Sequence, residues 1–268
     1  MDYPAEVWSA LRTLRERSPL VHSITNYVAM DVSANALLAV GAAPAMVHAL
    51  EEVEEFTTIS HALVINIGTL SPQWVQAMRL AAARAVALGK PWVLDPVGAG
   101  ATQYRTQTAR ELAGMRPTVI RGNASEILAV AGGAEGTRGV DSTHASDDAV
   151  EAGRALAARL GCVVAVTGAT DYVTDGTRTL SITNGHPMMT RVTALGCSAT
   201  ALVGAFLAAH GDPVFATAAA LSVIGLAGEI AARESTGPGT FRQKLLDALY
   251  LIDVATLTTG VRIAEEPA

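Results

Sequence analysis

Ala62-Leu63-Val64-Ile65-Asn66-Ile67-Gly68 is an apolar run that carries one polar residue and closes on glycine. A run of this kind, without polar–apolar alternation, reads as a strand buried on both faces, as in a parallel sheet. Ser71-Pro72 follows, an N-cap with proline at the first helical position. Trp74, Val75, Met78, Ala82, Ala85, Val86 and Leu88 then continue a helix that Gly89 stops. Trp92-Val93-Leu94-Asp95 is the next short apolar run.

The alternation extends outward in both directions. Downstream, the pattern predicts a helix around 103–113 and a strand Thr118-Val119-Ile120 leading into Arg121-Gly122-Asn123. It then predicts a helix from Ser125 to Ala131, a Gly-rich loop over 132–142, a helix from Ser146 to Leu160, and a strand Cys162–Val166 ending in Thr167-Gly168. Tyr172-Val173-Thr174 and Thr179-Leu180-Ser181-Ile182, around Asp175-Gly176, form a hairpin signal. From Leu195 to Thr259 the chain reads as helical, with a break at Gly237-Pro238-Gly239. Upstream, Val7, Trp8, Leu11 and Leu14 mark a helix over 5–17 that Pro19 ends. Leu20 to Val28 reads as a strand running into a polar loop, followed by a helix capped by Asp31 or Ser33 and ended by Gly41. A short strand Ala45-Met46-Val47 and an acidic helix from Glu51 to Ser60 complete the series. The expectation is one α/β domain over residues 1–268: a mostly parallel central sheet between two helical layers, with a β-hairpin near 172–182.

Composition narrows the function. With 50% hydrophobic and 16% charged residues the chain is not disordered, and 268 residues can bury a sizeable core. A net charge of −6 gives no electrostatic footprint for nucleic acid. Two cysteines, Cys162 and Cys197, are too few for a disulfide framework and point to a reducing, cytoplasmic setting. Met1-Asp2-Tyr3-Pro4-Ala5-Glu6 has no basic stretch leading into an apolar run, so it does not read as a secretory signal. Pro213 to Gly228 is Ala-rich and reads as too short and small-sided for a membrane span, so no membrane partner is expected.

In open α/β sheets ligands bind beyond the carboxyl ends of the strands. Those ends carry Asn66-Ile67-Gly68, Asp95-Pro96-Val97-Gly98, Arg121-Gly122-Asn123 with Glu126 just after, and Thr167-Gly168. Asp95 and Glu126 near a phosphate would suit Mg²⁺, which takes oxygen ligands and keeps several waters. Arg121 suits phosphate oxygens. The structural alternatives are helix capping for the carboxylates and a surface ion pair for Arg121.

Thr193-Ala194-Leu195-Gly196-Cys197-Ser198-Ala199-Thr200 reads as a tight turn opening a buried helix. Unpaired N–H groups there would seat an anion, and their field would favour a thiolate at Cys197 or polarise a hydroxyl beside it. The structural alternative is a small-residue turn with Cys197 as a minor hydrophobe.

Other signals are missing from the sequence. There is no Gly-x-x-x-x-Gly-Lys-Ser/Thr, no third glycine after Gly98-Ala99-Gly100, no Gly-x-Ser-x-Gly, and no pair of histidines at zinc-ligand spacing.

Five motifs occur in a fixed order: Val21-His22-Ser23-Ile24-Thr25-Asn26-Tyr27-Val28, Leu94-Asp95-Pro96-Val97-Gly98-Ala99-Gly100, Ile120-Arg121-Gly122-Asn123-Ala124-Ser125-Glu126, Val166-Thr167-Gly168 and Gly196-Cys197-Ser198-Ala199. Together they closely resemble the hydroxyethylthiazole kinase family of ribokinase-like enzymes, over roughly residues 8–260. The resemblance implies ATP- and Mg²⁺-dependent phosphorylation of the hydroxyl of 4-methyl-5-(2-hydroxyethyl)thiazole in thiamine salvage, by a homotrimer with its sites at subunit interfaces. Other small-alcohol kinases on this fold, such as those for hydroxymethylpyrimidine, and a non-catalytic thiazole-binding homologue are the competing readings.

By motif match, Asn26, Val28, Met46, Gly68 and Ala194 would line the thiazole pocket. Arg121, Asn123, Thr167 and Gly168 would hold ATP, and Asp95 and Glu126 would serve the metal. Gly196 and Cys197 would be catalytic, with Cys197 at the position of the superfamily's usual aspartate base. Ala194 replaces a glycine usual in the family and adds a methyl group beside the expected anion seat; activity is expected to survive it.

Overall fold

The computed structural model describes residues 2–132 and 142–267, the side chains of 142–147 excepted. The Gly-rich loop expected over 132–142 therefore lies almost wholly outside the described residues. The elements run α1 (Tyr3–Arg17), β1 (Leu20–Ile24), α2 (Met30–Val40), β2 (Ala43–Ala45), α3 (Val53–Ile59), β3 (Ala62–Asn66), α4 (Pro72–Ala87), β4 (Trp92–Asp95), α5 (Gln103–Ala113) and β5 (Val119–Asn123). They continue with α6 (Ala124–Ala131), α7 (Ser142–Leu160), β6 (Val163–Thr167), β7 (Asp171–Thr174), β8 (Thr179–Ile182), a 3₁₀ turn (Pro187–Arg191), α8 (Leu195–Ala209), α9 (Pro213–Arg233), α10 (Pro238–Leu251), α11 (Val254–Gly260) and β9 (Ile263–Glu265).

The nine strands among the described residues join one sheet in the order β2-β1-β3-β4-β5-β6-β7-β8-β9. The pairs from β2 through β6 are parallel, and β6-β7-β8-β9 are antiparallel. Two apolar cores flank the sheet. One packs α1, α2, α8, α9 and α10 on one face, and the other packs α3 through α7 on the opposite face. This is the three-layer arrangement the alternating pattern predicts. The long apolar runs of β3 and β4 are fully buried because helices cover both their faces.

Several local expectations shift. Neither Asp31 nor Ser33 caps α2: Ala29 is the N-cap and has no side-chain cap bond. Asp31 pairs instead with Arg242 of α10 at 2.6 Å, and Ser33 is buried within 3.5 Å of Ser198. The Ala29 N–H is satisfied from outside the helix, by Asn26 Oδ1 at 3.0 Å. The second strand is Ala43–Ala45, two residues earlier than Ala45–Val47, and its place is fixed by pairing with β1 from Leu20↔Ala43. Helix α7 begins at Ser142 rather than Ser146. Strand β9 was not expected at all.

The expectation that 213–228 is too short for a membrane span also needs correction. Helix α9 has 21 residues, long and apolar enough to cross a bilayer, but 94% of its apolar window is buried inside the fold. It is the core helix of the second layer, packed against α8 and α10.

Candidate functional site

Parallel strands place their carboxyl ends along one edge, and two pairs of polar residues become neighbours there. Asn66 of β3 is in register with Asp95 of β4, and Asn123 of β5 with Thr167 of β6. The start of α8 arrives over the same edge. A chain of hydrogen bonds then links three strand ends to that helix. Asn66 Nδ2 donates to Asp95 Oδ2 at 2.7 Å, and Thr200 Oγ1 of α8 donates to the same oxygen at 2.8 Å. Asn26 Nδ2, in the loop after β1, donates to Asn66 Oδ1 at 2.9 Å and to Cys197 Sγ at 3.4 Å.

Beside this network lies a cleft of about 660 Å³. It gathers five of the sequence-predicted residues: Arg121, Thr167, Gly168, Ala194 and Gly196. The Arg121 Nε is buried and has no hydrogen-bond partner. The guanidinium lies against Gly196, where a Cβ would come within 3.0 Å of its Nη1, so a larger residue there would push the cation back by a few tenths of an ångström. A buried donor left unpaired carries a cost, which an anionic ligand would remove. Ala194 is the N-cap of α8, at φ 64° and ψ 7°. It thus adopts the left-handed conformation that glycine takes without strain. The first intrahelical bond already uses the Ser198 N–H, which donates to Ala194 O at 2.9 Å. The free amides of this helix start are therefore those of Leu195, Gly196 and Cys197.

Of the four other residues expected around the thiazole, Asn26 reaches Cys197 directly through its Nδ2. Asn26 is buried, Met46 and Gly68 are half-buried, and Val28 is 59% exposed. They do not line the cleft. Gly68 packs directly on Asn26: a Cβ there would meet the Asn26 amide at 2.6–2.9 Å. Buried His22 holds the loop that carries Met46, its Nε2 lying 2.8 Å from the Val47 carbonyl. Burial holds the His22 imidazole below its usual pKa, against the bond to Val47. Tyr27, 67% exposed, packs on Trp74 with ring centroids 5.0 Å apart.

Asp95 is 1% exposed. Burial raises its carboxyl to about 6, against the pull of Arg121 and with a further push from Glu126. Both Glu126 oxygens accept from backbone: Oε1 from Gly98 N–H and Oε2 from Asn123 N–H, each at 2.9 Å. Asn123 Oδ1 in turn accepts from Glu126 N–H at 3.0 Å, completing a capping box on α6. The capping alternative thus describes what Glu126 and Asn123 do in this structure. Asn123 is exposed and does not line the cleft. The carboxylate pair still fits Mg²⁺, which takes one or two carboxylates and draws its remaining ligands from phosphate and water. Asp95 is buried beside the cleft without lining it, and Glu126 is close enough to raise its proton affinity.

The expected thiolate is not favoured. Burial pushes the Cys197 thiol up to about 11, with help from Asp95 and against the Asn26, Asn66 and Arg121 side chains. At neutral pH Cys197 is therefore a thiol. Cys162, buried on the other side of the sheet, is pushed up to about 12 by burial alone.

Four residues at this edge were given no site role from sequence. Asn66 and Thr200 hold Asp95. Asp171 lines the cleft, and its Oδ1 accepts the Gly168 N–H at 2.9 Å. Burial raises the Asp171 carboxyl to about 6, opposed by that bond and by Arg121. Arg105 donates to the carbonyls of Ile67, Val97 and Gly68 at 2.8–2.9 Å, pinning the loops after β3 and β4 together. A cation in the first turn of a helix runs against the macrodipole, and that was the readable sign that Arg105 has another task.

The chain was compared with known proteins. A family model described as the hydroxyethylthiazole kinase family matches residues 11–255. A protein of Granulibacter bethesdensis named hydroxyethylthiazole kinase is 57% identical over 252 residues, covering 94% of this chain and 92% of the relative. The solved structure of a hydroxyethylthiazole kinase protein from Pyrococcus horikoshii OT3 superimposes with a TM-score of 0.91 at 44% identity, covering 98% of this chain and all of the other. A ribokinase-like superfamily protein from Enterococcus faecalis shares the fold, with a TM-score of 0.65 at 13% identity.

Proposed function

The chain belongs to the hydroxyethylthiazole kinase family, and from that premise we propose how its residues divide the work. The enzyme is a kinase that phosphorylates the hydroxyl of hydroxyethylthiazole with ATP, a step of thiamine salvage. Arg121, Thr167, Gly168 and the free amides at the start of α8 receive the nucleotide phosphates. The observation that carries this is the unpartnered Arg121 Nε, buried in the wall of the cleft beside the amides of Gly196 and Cys197. Asn26, Val28, Met46, Gly68 and Ala194 receive the thiazole; Ala194 also lines the nucleotide cleft and opens α8, so the alcohol meets the phosphates at that helix start.

Phosphoryl transfer needs positioning and charge neutralisation more than covalent help. Arg121 and the Leu195, Gly196 and Cys197 amides are fixed before substrate arrives and face the charge that develops on the transferring group. Asp95 and Glu126 would hold Mg²⁺, which neutralises phosphate charge when bound. Asn66 and Thr200 keep the Asp95 carboxylate oriented and ionised. Cys197 stands where a base is expected, yet its thiol is protonated at neutral pH. Proton removal from the alcohol by Cys197 is therefore weak and slow, and the enzyme relies on phosphate positioning for most of its rate.

Exposed Tyr27 and Val28, which do not line the cleft, support a homotrimer whose neighbouring subunit completes the thiazole pocket. Two unpaired cysteines, the state a reducing compartment keeps, support a cytoplasmic enzyme.

Coupled ADP release with hydroxyethylthiazole, hydroxymethylpyrimidine, ribose or no acceptor tests the reading. ADP release should depend on the thiazole alcohol alone. Equal release with another acceptor would move the substrate, and thiazole binding without turnover would refute catalysis.

A further inference from the structure

A buried carboxylate that the chemistry above leaves unused ties the C-terminal segment to the cleft. Glu229 lies on α9 and is 9% exposed. Its Oε1 accepts from the Gly185 N–H at 2.9 Å and from Asn184 Nδ2 at 3.1 Å. Arg262, just before β9, donates through Nη1 to Oε2 at 3.2 Å and through Nη2 to Oε1. The same Nη2 donates to the Thr183 carbonyl at 2.9 Å.

Asn184 closes the circuit. Its Oδ1 accepts from Ser222 Oγ at 3.0 Å and from the Arg262 N–H at 2.9 Å, while its Nδ2 also donates to the Gly260 carbonyl at 2.8 Å. The exit of β8, helix α9, the end of α11 and the approach to β9 therefore meet at one carboxylate. Burial raises the proton affinity of Glu229, but Arg262, Gly185 and Asn184 outweigh it and hold the carboxyl below its usual range. The ion pair is thus kept across neutral pH.

This circuit stands directly behind the nucleotide cleft. Asn184, Gly185, His186 and Met189 form one wall of the cleft, and Leu221 and Ile224 of α9 form the adjoining one. The two walls touch without slack, since a Cβ on Gly225 would meet Asn184 at 2.8 Å. Arg262 itself does not line the cleft.

We propose that Arg262 is a positioning residue for nucleotide binding: acting through Glu229 and Asn184, it fixes the 183–189 wall of the cleft against α9. The inference rests on reading the cleft as the nucleotide seat. Because nothing in the circuit reaches Cys197 or Asp95, its loss falls on nucleotide affinity and leaves the chemical step alone.

The test compares Arg262→Ala, Arg262→Lys and Glu229→Gln with the parent, by ADP binding calorimetry, steady-state kinetics and thermal melting. Half of the Arg262 side chain is exposed, so its removal empties no core. Glu229→Gln keeps an oxygen for Gly185 and Asn184 and loses only the ion pair. Arg262→Ala should weaken ADP binding and raise the KM for ATP roughly fivefold or more, with kcat and the thiazole KM held within about twofold. Glu229→Gln should show the same split, and Arg262→Lys should recover part of it. Unchanged ADP affinity in folded Arg262→Ala and Glu229→Gln, with only a lowered Tm, would overturn the inference, as would parallel losses in kcat and both KM values. A parent enzyme that turns over yet binds no ADP would overturn the cleft assignment itself, and the inference with it.

Discussion

Asp95→Asn separates what a buried carboxylate does for catalysis from what it costs the fold. Burial lifts the Asp95 carboxyl from 3.8 to about 6. A carboxyl whose folded-state pKa lies above its unfolded value holds its proton more tightly in the folded chain. Stability contributed by that proton is full below about pH 4, is lost as pH rises to about 6, and stays lost above it. A gap of about two pKa units corresponds to about 3 kcal/mol at pH 7.5. Asparagine keeps an oxygen to accept from Asn66 and Thr200 and carries no charge. The metal- and nucleotide-free Asp95→Asn protein should therefore be about 2–3 kcal/mol more stable than the parent at pH 7.5, or roughly 4–10 °C in Tm. The advantage should fade toward pH 4. Turnover should drop about 100-fold or more, as expected when a carboxylate that would hold the charge-neutralising Mg²⁺ is lost. Calorimetric melts of both proteins from pH 4.5 to 8, with coupled ADP release on the same samples, make the measurement. A variant less stable than the parent at pH 7.5, or an advantage that does not change with pH, would refute the reasoning.

Ala194→Gly should relieve the left-handed alanine, a gain of about 1–2 kcal/mol offset by about 0.5–1 of glycine's extra chain entropy. Urea unfolding should then show a net stabilisation of up to about 1 kcal/mol, and destabilisation would contradict it. Cys197→Asp restores the carboxylate usual in the superfamily and should keep or raise kcat at neutral pH. A folded Asp variant that binds the thiazole but is inactive would remove the base role from Cys197. Gly68→Ala forces a methyl into the Asn26 amide and should cost about 1–3 kcal/mol. It should also raise the KM for hydroxyethylthiazole while leaving that for ATP unchanged, and a selective effect on ATP would misplace the two pockets.

The helical layers and the mostly parallel sheet were legible because β3, β4 and β6 are apolar runs buried by helices on both faces, whereas the strand order was not. The convergence of Arg121, Gly168 and Gly196 on one cleft was legible because they lie near strand ends or at a helix start, where local sequence already says which backbone groups are free. What escaped was set by partners far along the chain. Thr200 reaches Asp95 across 105 positions and Asn66 reaches it across 29, and no local pattern announces either bond. Strand β9 has three residues and exists because β8 offers it an edge from Leu180 to Ile182. The Ala43-Pro44-Ala45 strand has little strand propensity of its own and is placed by β1. The Cys197 thiol was misjudged because the helix start is a local feature, whereas its burial and its nearness to Asp95 are tertiary.

On the proposed function, the phosphoryl group is transferred beside Arg121 at the start of α8. The most direct measurement is ATP turnover by Arg121→Ala at saturating hydroxyethylthiazole, with thiazole binding followed on the same sample. In Arg121→Ala kcat/KM for ATP should fall about 100-fold or more while the protein stays folded and binds the thiazole as the parent does. A variant that turns over within about threefold of the parent would place phosphoryl transfer elsewhere and contradict the account.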